Sequence, residues 1–214
     1  MINPKDIELS NFLRRWHGPI ETNIEHLPSS CDWLPNPLRD WHELTSQWQT
    51  PITRMNHMTP PQEVNPENGL AVFLENQGVR QWAFSVNEPT AVHEGEDVYE
   101  MEKITEDLEV FLIHSALYEV AYGATFWRRC DAVPGEQLRH MLAPLARVAF
   151  DDSLTSIHLS DHVIAAVDPH MDGRSEWGAL PDHWHIQVAA TNSNELEYLN
   201  QHSGLSWQHS PWQD

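Results

Sequence analysis

Four residues in the last third of the chain have types and spacing that could do metal chemistry: His170, Asp172, His183 and His185. On a strand His183 and His185 share one face. A turn that brought His170 or Asp172 alongside would complete a nitrogen and oxygen set suited to a divalent ion and to metal-assisted hydrolysis. Against this, the chain has 14 histidines, so a close pair arises easily by chance, and no HExxH or comparable signature accompanies this one.

Other searches for chemistry return nothing. There is no G-x-S-x-G elbow, neither Cys31 nor Cys130 sits in a nucleophile motif, and the nine glycines form no G-x-G-x-x-G or phosphate-binding loop. Pairs of acids between positions 94 and 109 could mimic a general acid and base, but no pattern places them in a cleft. The expectation is a chain that is not an enzyme, with no catalytic residues, no metal and no cofactor. A metal-dependent hydrolase using the four residues above is the alternative.

Charge is the extreme property. Against 12 Lys and Arg stand 32 Asp and Glu, a formal net charge of −20, which repels nucleic acid and anionic membranes and speeds encounter with basic partners. Nine acids between Glu88 and Glu109 face a single basic residue, Lys103, and most must be solvated because unpaired carboxylates do not bury. Glu94, Glu96, Asp97, Glu100 and Glu102 are the candidate partner-binding residues. No apolar run approaches a membrane span, Met1 to Ser10 is too polar for a signal peptide, and two cysteines without a CxxC fit a reducing cytoplasm.

The elements that must position these groups are read from periodicity. Leu9, Phe12, Leu13 and Trp16 predict a helix from Asp6 to Trp16, stopped by Gly18-Pro19. Asn36 as cap and Pro37 in the first turn predict a second helix carrying Leu38, Trp41, Thr45 and Trp48, ended by Pro51. The proline-rich segment from Ile52 to Asn68 reads as an extended connection. Leu70 to Leu74 and Val79 to Phe84, separated by Glu75-Asn76-Gln77-Gly78, read as a β-hairpin whose first strand is apolar on both faces and so internal.

Thr105 is expected to cap a third, buried helix through Tyr122. Residues 124–144 read as a bridge that holds Arg128-Arg129, expected to pair with carboxylates, and a short helix after Pro134-Gly135. Strands are predicted at Leu145 to Phe150, His162 to Val167 and Trp184 to Thr191, with turns at Asp168-Pro169 and Asp172-Gly173. A last helix is predicted from Asn192, followed by a tail expected to fray beyond Gly204. The whole reads as one elaborated α+β domain spanning 1–214.

The hairpin also carries a likeness. A Gly, an apolar strand, Glu75-Asn76-Gln77-Gly78-Val79 and then Trp82 resemble a segment that recurs in the SUKH superfamily, the SMI1/KNR4-like proteins; Leu34-Pro35 with Leu38, Trp41 and His42 looks like that family's helix upstream. Val92, the acidic stretch and the helix from Leu108 to Tyr122 follow in the family's order, so the likeness covers about residues 30–123, with 124–214 a possible β-rich extension. The resemblance implies an α+β fold with a mostly antiparallel or mixed sheet flanked by helices. It also implies the role of a bacterial immunity protein, which binds and neutralises a toxin, often a nuclease and therefore basic, or else that of a regulatory protein-binding scaffold. It carries over no contact residues.

Overall fold

A computed structural model describes residues 1–150, 155–171 and 179–211. In chain order the elements are α1 (Leu9–His17), α2 (Asn36–Thr45), β1 (His57–Met58), β2 (Pro66–Glu67), β3 (Leu70–Asn76), β4 (Arg80–Ser85), β5 (Ala91–Gly95), β6 (Glu102–Asp107), α3 (Leu108–Gly123), β7 (Phe126–Pro134), α4 (Gly135–Leu142), β8 (Ala146–Arg147), β9 (Ser156–Leu159), β10 (Val163–Met171), β11 (Ala179–Ala190) and β12 (Gln208–His209), with short 3-10 turns at Pro4–Asp6, Ser29–Cys31 and Ser193–Gln201. The fold is α+β with two antiparallel sheets. The chain divides into two compact units, Ile7–Glu119 and Met1–Asp6 with Val120–Asp214.

In the Ile7–Glu119 unit the hairpin forms where its turn residues put it. Gln77 and Gly78 have φ of 47° and 73°, and the Val79 amide donates to the Asn76 carbonyl at 2.8 Å. Positive φ at both central positions is what a two-residue hairpin turn with native strand twist requires, and Gly78 adopts it without steric cost. β3 is internal to the sheet, pairing with β1 and β2 along one edge and β4 along the other. Ala71, Phe73 and Leu74 are accordingly buried.

The sheet continues through β5 to β6, two strands that the acidic composition of this stretch did not announce. Two carboxylates of the acidic stretch have found partners. Glu106, 8% exposed, lies 3.0 Å from His114 Nδ1, and Glu88 accepts from Lys103 Nζ at 2.8 Å. Because β6 runs to Asp107, Thr105 is not the helix cap; the Asp107 carboxylate accepts from the Val110 amide at 2.9 Å instead. Asn36 does not cap α2 either. Pro35 holds that position, and its carbonyl accepts the amides of Leu38 and Arg39. α2 ends at Thr45, so Trp48 lies beyond it, still buried and donating to the Gly18 carbonyl at 3.1 Å.

α3 covers the sheet through Phe111, which meets Phe73 edge-on at 5.7 Å between ring centres and Trp82 at 5.8 Å. Apolar residues on two faces predict burial of this helix, and Leu108, Leu112, Ile113, Ala116 and Leu117 are all buried. One charged group is buried with them. Glu119, 2% exposed, accepts the backbone amides of Arg54 (2.6 Å), Met55 (2.8 Å) and Asn56 (2.9 Å) and the side-chain amide of Asn56 (2.8 Å). Asn56 Oδ1 in turn accepts from Asn76 Nδ2 at 2.8 Å, linking the connection before β1 to the hairpin turn.

Two histidines of this unit are shielded from water and lack a hydrogen bond at Nε2, His17 and His42. Burial, with a smaller contribution from Arg54 in the case of His17, lowers both from 6.5 to about 4. Between those values the unfolded chain binds protons that the folded chain refuses, so stability is complete above about pH 6.5 and declines as pH falls toward 4. The expected slope is at most about 1.4 kcal/mol per pH unit for each histidine, before solvent screening. Melting temperatures of wild type and His42→Phe, measured from pH 7.5 to 4.5, check this. A wild-type profile that is flat below pH 6.5, or one whose slope His42→Phe leaves untouched, contradicts it.

The second unit holds the sheet β12-β7-β11-β10-β9-β8. Val163, Ala165 and Val167 of β10, Ile186, Val188 and Ala190 of β11 and Cys130 of β7 share a buried face, packed with Leu138 and Met141 of α4 and with Leu196 and Leu199. Several expectations are corrected here. Residues 126–134 form a nine-residue strand, not a bridge, and the strand expected at Leu145 to Phe150 is only β8, followed by a parallel bridge between Val148 and Ile2. β10 runs through Asp168-Pro169 without turning, and a bulge accommodates the proline, which cannot donate to the ladder. The Asp172-Gly173 turn lies outside the described residues. The final helix is 3-10, with Asn192 accepting from Asn194 N at 3.1 Å. Within the described part of the tail, to residue 211, β12 pairs with β7 and the Ser210 amide donates to the Trp127 carbonyl, so this part is held and does not fray.

Candidate functional site

The acidic residues singled out by charge gather on β5, β6 and the turn between them. Glu94 is committed inside the sheet: one oxygen pairs with Arg80 and the other accepts from Trp82 Nε1 at 2.7 Å, tying β4 to β5. Glu96, Asp97, Glu100 and Glu102 are exposed, and among the described residues no ion pair engages Glu96, Glu100 or Glu102. Asp97 accepts from the Tyr99 amide at 2.8 Å and so shapes the turn. Gly95 is required by close approach, since a Cβ there would stand 2.9 Å from the Glu100 carbonyl oxygen and from Met101 Cα.

Sequence reasoning missed Tyr99, a 75% exposed aromatic in the middle of this carboxylate cluster. Its hydroxyl donates to Glu67 at 2.9 Å, and that bond with the Glu67 charge raises its pKa above the ordinary value. Exposed tyrosine flanked by unpaired charge suits protein recognition, where rigid aromatics anchor and charges steer. An unpatterned aromatic in an acidic run was the available clue.

The histidines of the metal reading fare differently. Asp172 lies outside the described residues, and His170 is placed on β10 by its backbone. His183 and His185 are both on β11, but His185 faces carboxylates. Its Nδ1 stands 3.5 Å from Asp168 Oδ2 and its Nε2 3.7 Å from Asp131 Oδ1. Asp168 also accepts from the hydroxyls of Tyr122, at 3.0 Å, and Thr155. Burial alone would raise the Asp168 carboxyl, but the bonds from His185, Thr155 and Tyr122 and the charge of His185 outweigh it and leave the pKa below the ordinary value.

On the β7 side Asp131 lies 3.6 Å from Arg129 Nε, and Gln208 accepts from Arg129 while donating to Asp131 at 3.2 Å. Arg129 thus pairs with a carboxylate as expected, whereas Arg128 donates to the Asn200 side chain. The network fastens four neighbouring strands, β12, β7, β11 and β10. Among the described residues no group of three or more His, Cys, Asp or Glu is placed to hold a metal ion, and no helix is long and apolar enough to cross a membrane.

No protein-family model matches the chain, and no curated protein or solved structure is detectably similar to it.

Proposed function

We propose that the protein is a non-enzymatic immunity protein, acting in the cytoplasm, that binds and neutralises a basic toxin such as a nuclease. The observation that carries this reading is the β5–β6 hairpin, where Glu96, Asp97, Glu100 and Glu102 stand exposed around Tyr99. A nuclease must be basic to hold phosphate, so a surface of this sign meets it quickly and can occupy its substrate groove. The net charge of −20 acts in the same direction, and the likeness of residues 30–123 to SUKH proteins supplies the biological setting.

The test is co-purification with any toxin domain that a neighbouring gene encodes, followed by titration with salt. From about 0.1 to 1 M salt the Debye length contracts from roughly 10 to 3 Å, and association should slow steeply with it. Binding indifferent to salt would move the interface off this hairpin. Failure of the protein to protect cells from that toxin would remove the reading altogether.

A further inference from the structure

We propose that the cavity between α2 and the 51–60 connection is a binding site for a small, uncharged aromatic ring. The cavity has a volume of about 310 Å³. That is near the lower end for ligand pockets, which run from roughly 300 to 1,000 Å³, and suits a single ring system.

Its walls decide the ligand's charge. The chain carries 44 charged residues, 12 basic and 32 acidic, yet among the described residues none of them lines this cavity. A charged ligand would leave water and find no counter-charge, which disfavours it against a neutral one. The indole of Trp41 and the imidazoles of His42 and His57 are flat, and the Met58 thioether makes favourable contacts with ring edges. Burial keeps the His42 ring neutral above about pH 4, so it adds no charge to the wall.

The wall is also built to hold its shape. Residues 51–60 include no regular structure before β1, and irregular backbone of this kind would ordinarily move. Here the buried Glu119 carboxylate grips three successive amides, those of Arg54, Met55 and Asn56. Burying a carboxylate is costly, and this one is spent on fixing the segment that carries Thr53, His57 and Met58 into the cavity wall.

The ring can arrive as a free heterocycle or as an aromatic side chain of a partner protein. Isotope-labelled full-length protein is titrated with indole, with benzoate and with a capped Gly-Trp-Gly peptide, following the Trp41 indole N–H and the Met58 methyl by NMR. Saturable shifts are expected with indole, with an affinity at least about tenfold above that for benzoate. They should vanish in Thr53→Phe, which fills the cavity. Tighter binding of the peptide than of indole assigns the ring to a partner; the reverse assigns it to a small molecule. Absence of saturable shifts, shifts that survive Thr53→Phe in a variant that still melts cooperatively, or equal binding of benzoate would overturn the proposal.

Discussion

Reversing charge at three positions of the β5–β6 hairpin, Glu96→Lys, Glu100→Lys and Glu102→Lys, is expected to slow capture of the basic toxin by about two to three orders of magnitude at low salt. All three side chains are exposed and bear no structural ion pair among the described residues, so the melting temperature should hardly change. Each replacement shifts the charge by two, taking the formal net charge from −20 to −14. A matched control separates a local from a global field. Glu63→Lys, Glu136→Lys and Glu197→Lys make the same change at exposed positions remote in sequence from the hairpin. If the hairpin is the interface, stopped-flow association slows far more for the first triple than for the second. Equal slowing would mean that only total charge matters. Glu94 is left out because its oxygens hold Arg80 and Trp82, so its removal would damage β4–β5 pairing as well as any interface.

That distinction among five carboxylates shows what the chain discloses before it is folded. The β3–β4 hairpin was legible because everything that specifies it is local: two apolar runs, and a Gln77-Gly78 pair that tolerates positive φ. α3 was legible from its apolar faces. β5, β6, β7 and β12 were not, because their residues acquire strand character from partners far away in sequence. β7 alternates no clean apolar face, Trp127-Arg128-Arg129-Cys130-Asp131, and forms because β11 and β12 flank it. Reading carboxylates as solvent-facing failed at Glu94 and Glu106 for the same reason, since Trp82, Arg80 and His114 reach them from other elements. His185 had the right residue type to attract notice. Its neighbours among the described residues, Asp131 on β7 and Asp168 on β10, come from strands whose register no local pattern announces.

Glu119→Gln is expected to be the most damaging isosteric change in the Ile7–Glu119 unit. The carboxylate offers only acceptors, and four donors use them: three backbone amides and Asn56 Nδ2. Glutamine keeps the volume but turns one acceptor into an N–H pair. In either orientation of the amide, donors then face donors in a site only 2% exposed, where water cannot relieve them. Leaving such groups unmet should cost on the order of 3–5 kcal/mol, comparable to breaking a buried charged pair, or roughly 10 °C in melting temperature for a chain of this length. Asn56→Ala removes one donor of the same set and the link to Asn76, so a loss of about 1–2 kcal/mol is expected. The two changes share an interaction, so the double variant should fall short of their sum. Thermal denaturation of the four proteins closes this cycle. A Glu119→Gln protein within about 1 kcal/mol of wild type would mean that the 54–56 amides find other acceptors, and strict additivity would mean that Asn56 is held by something else.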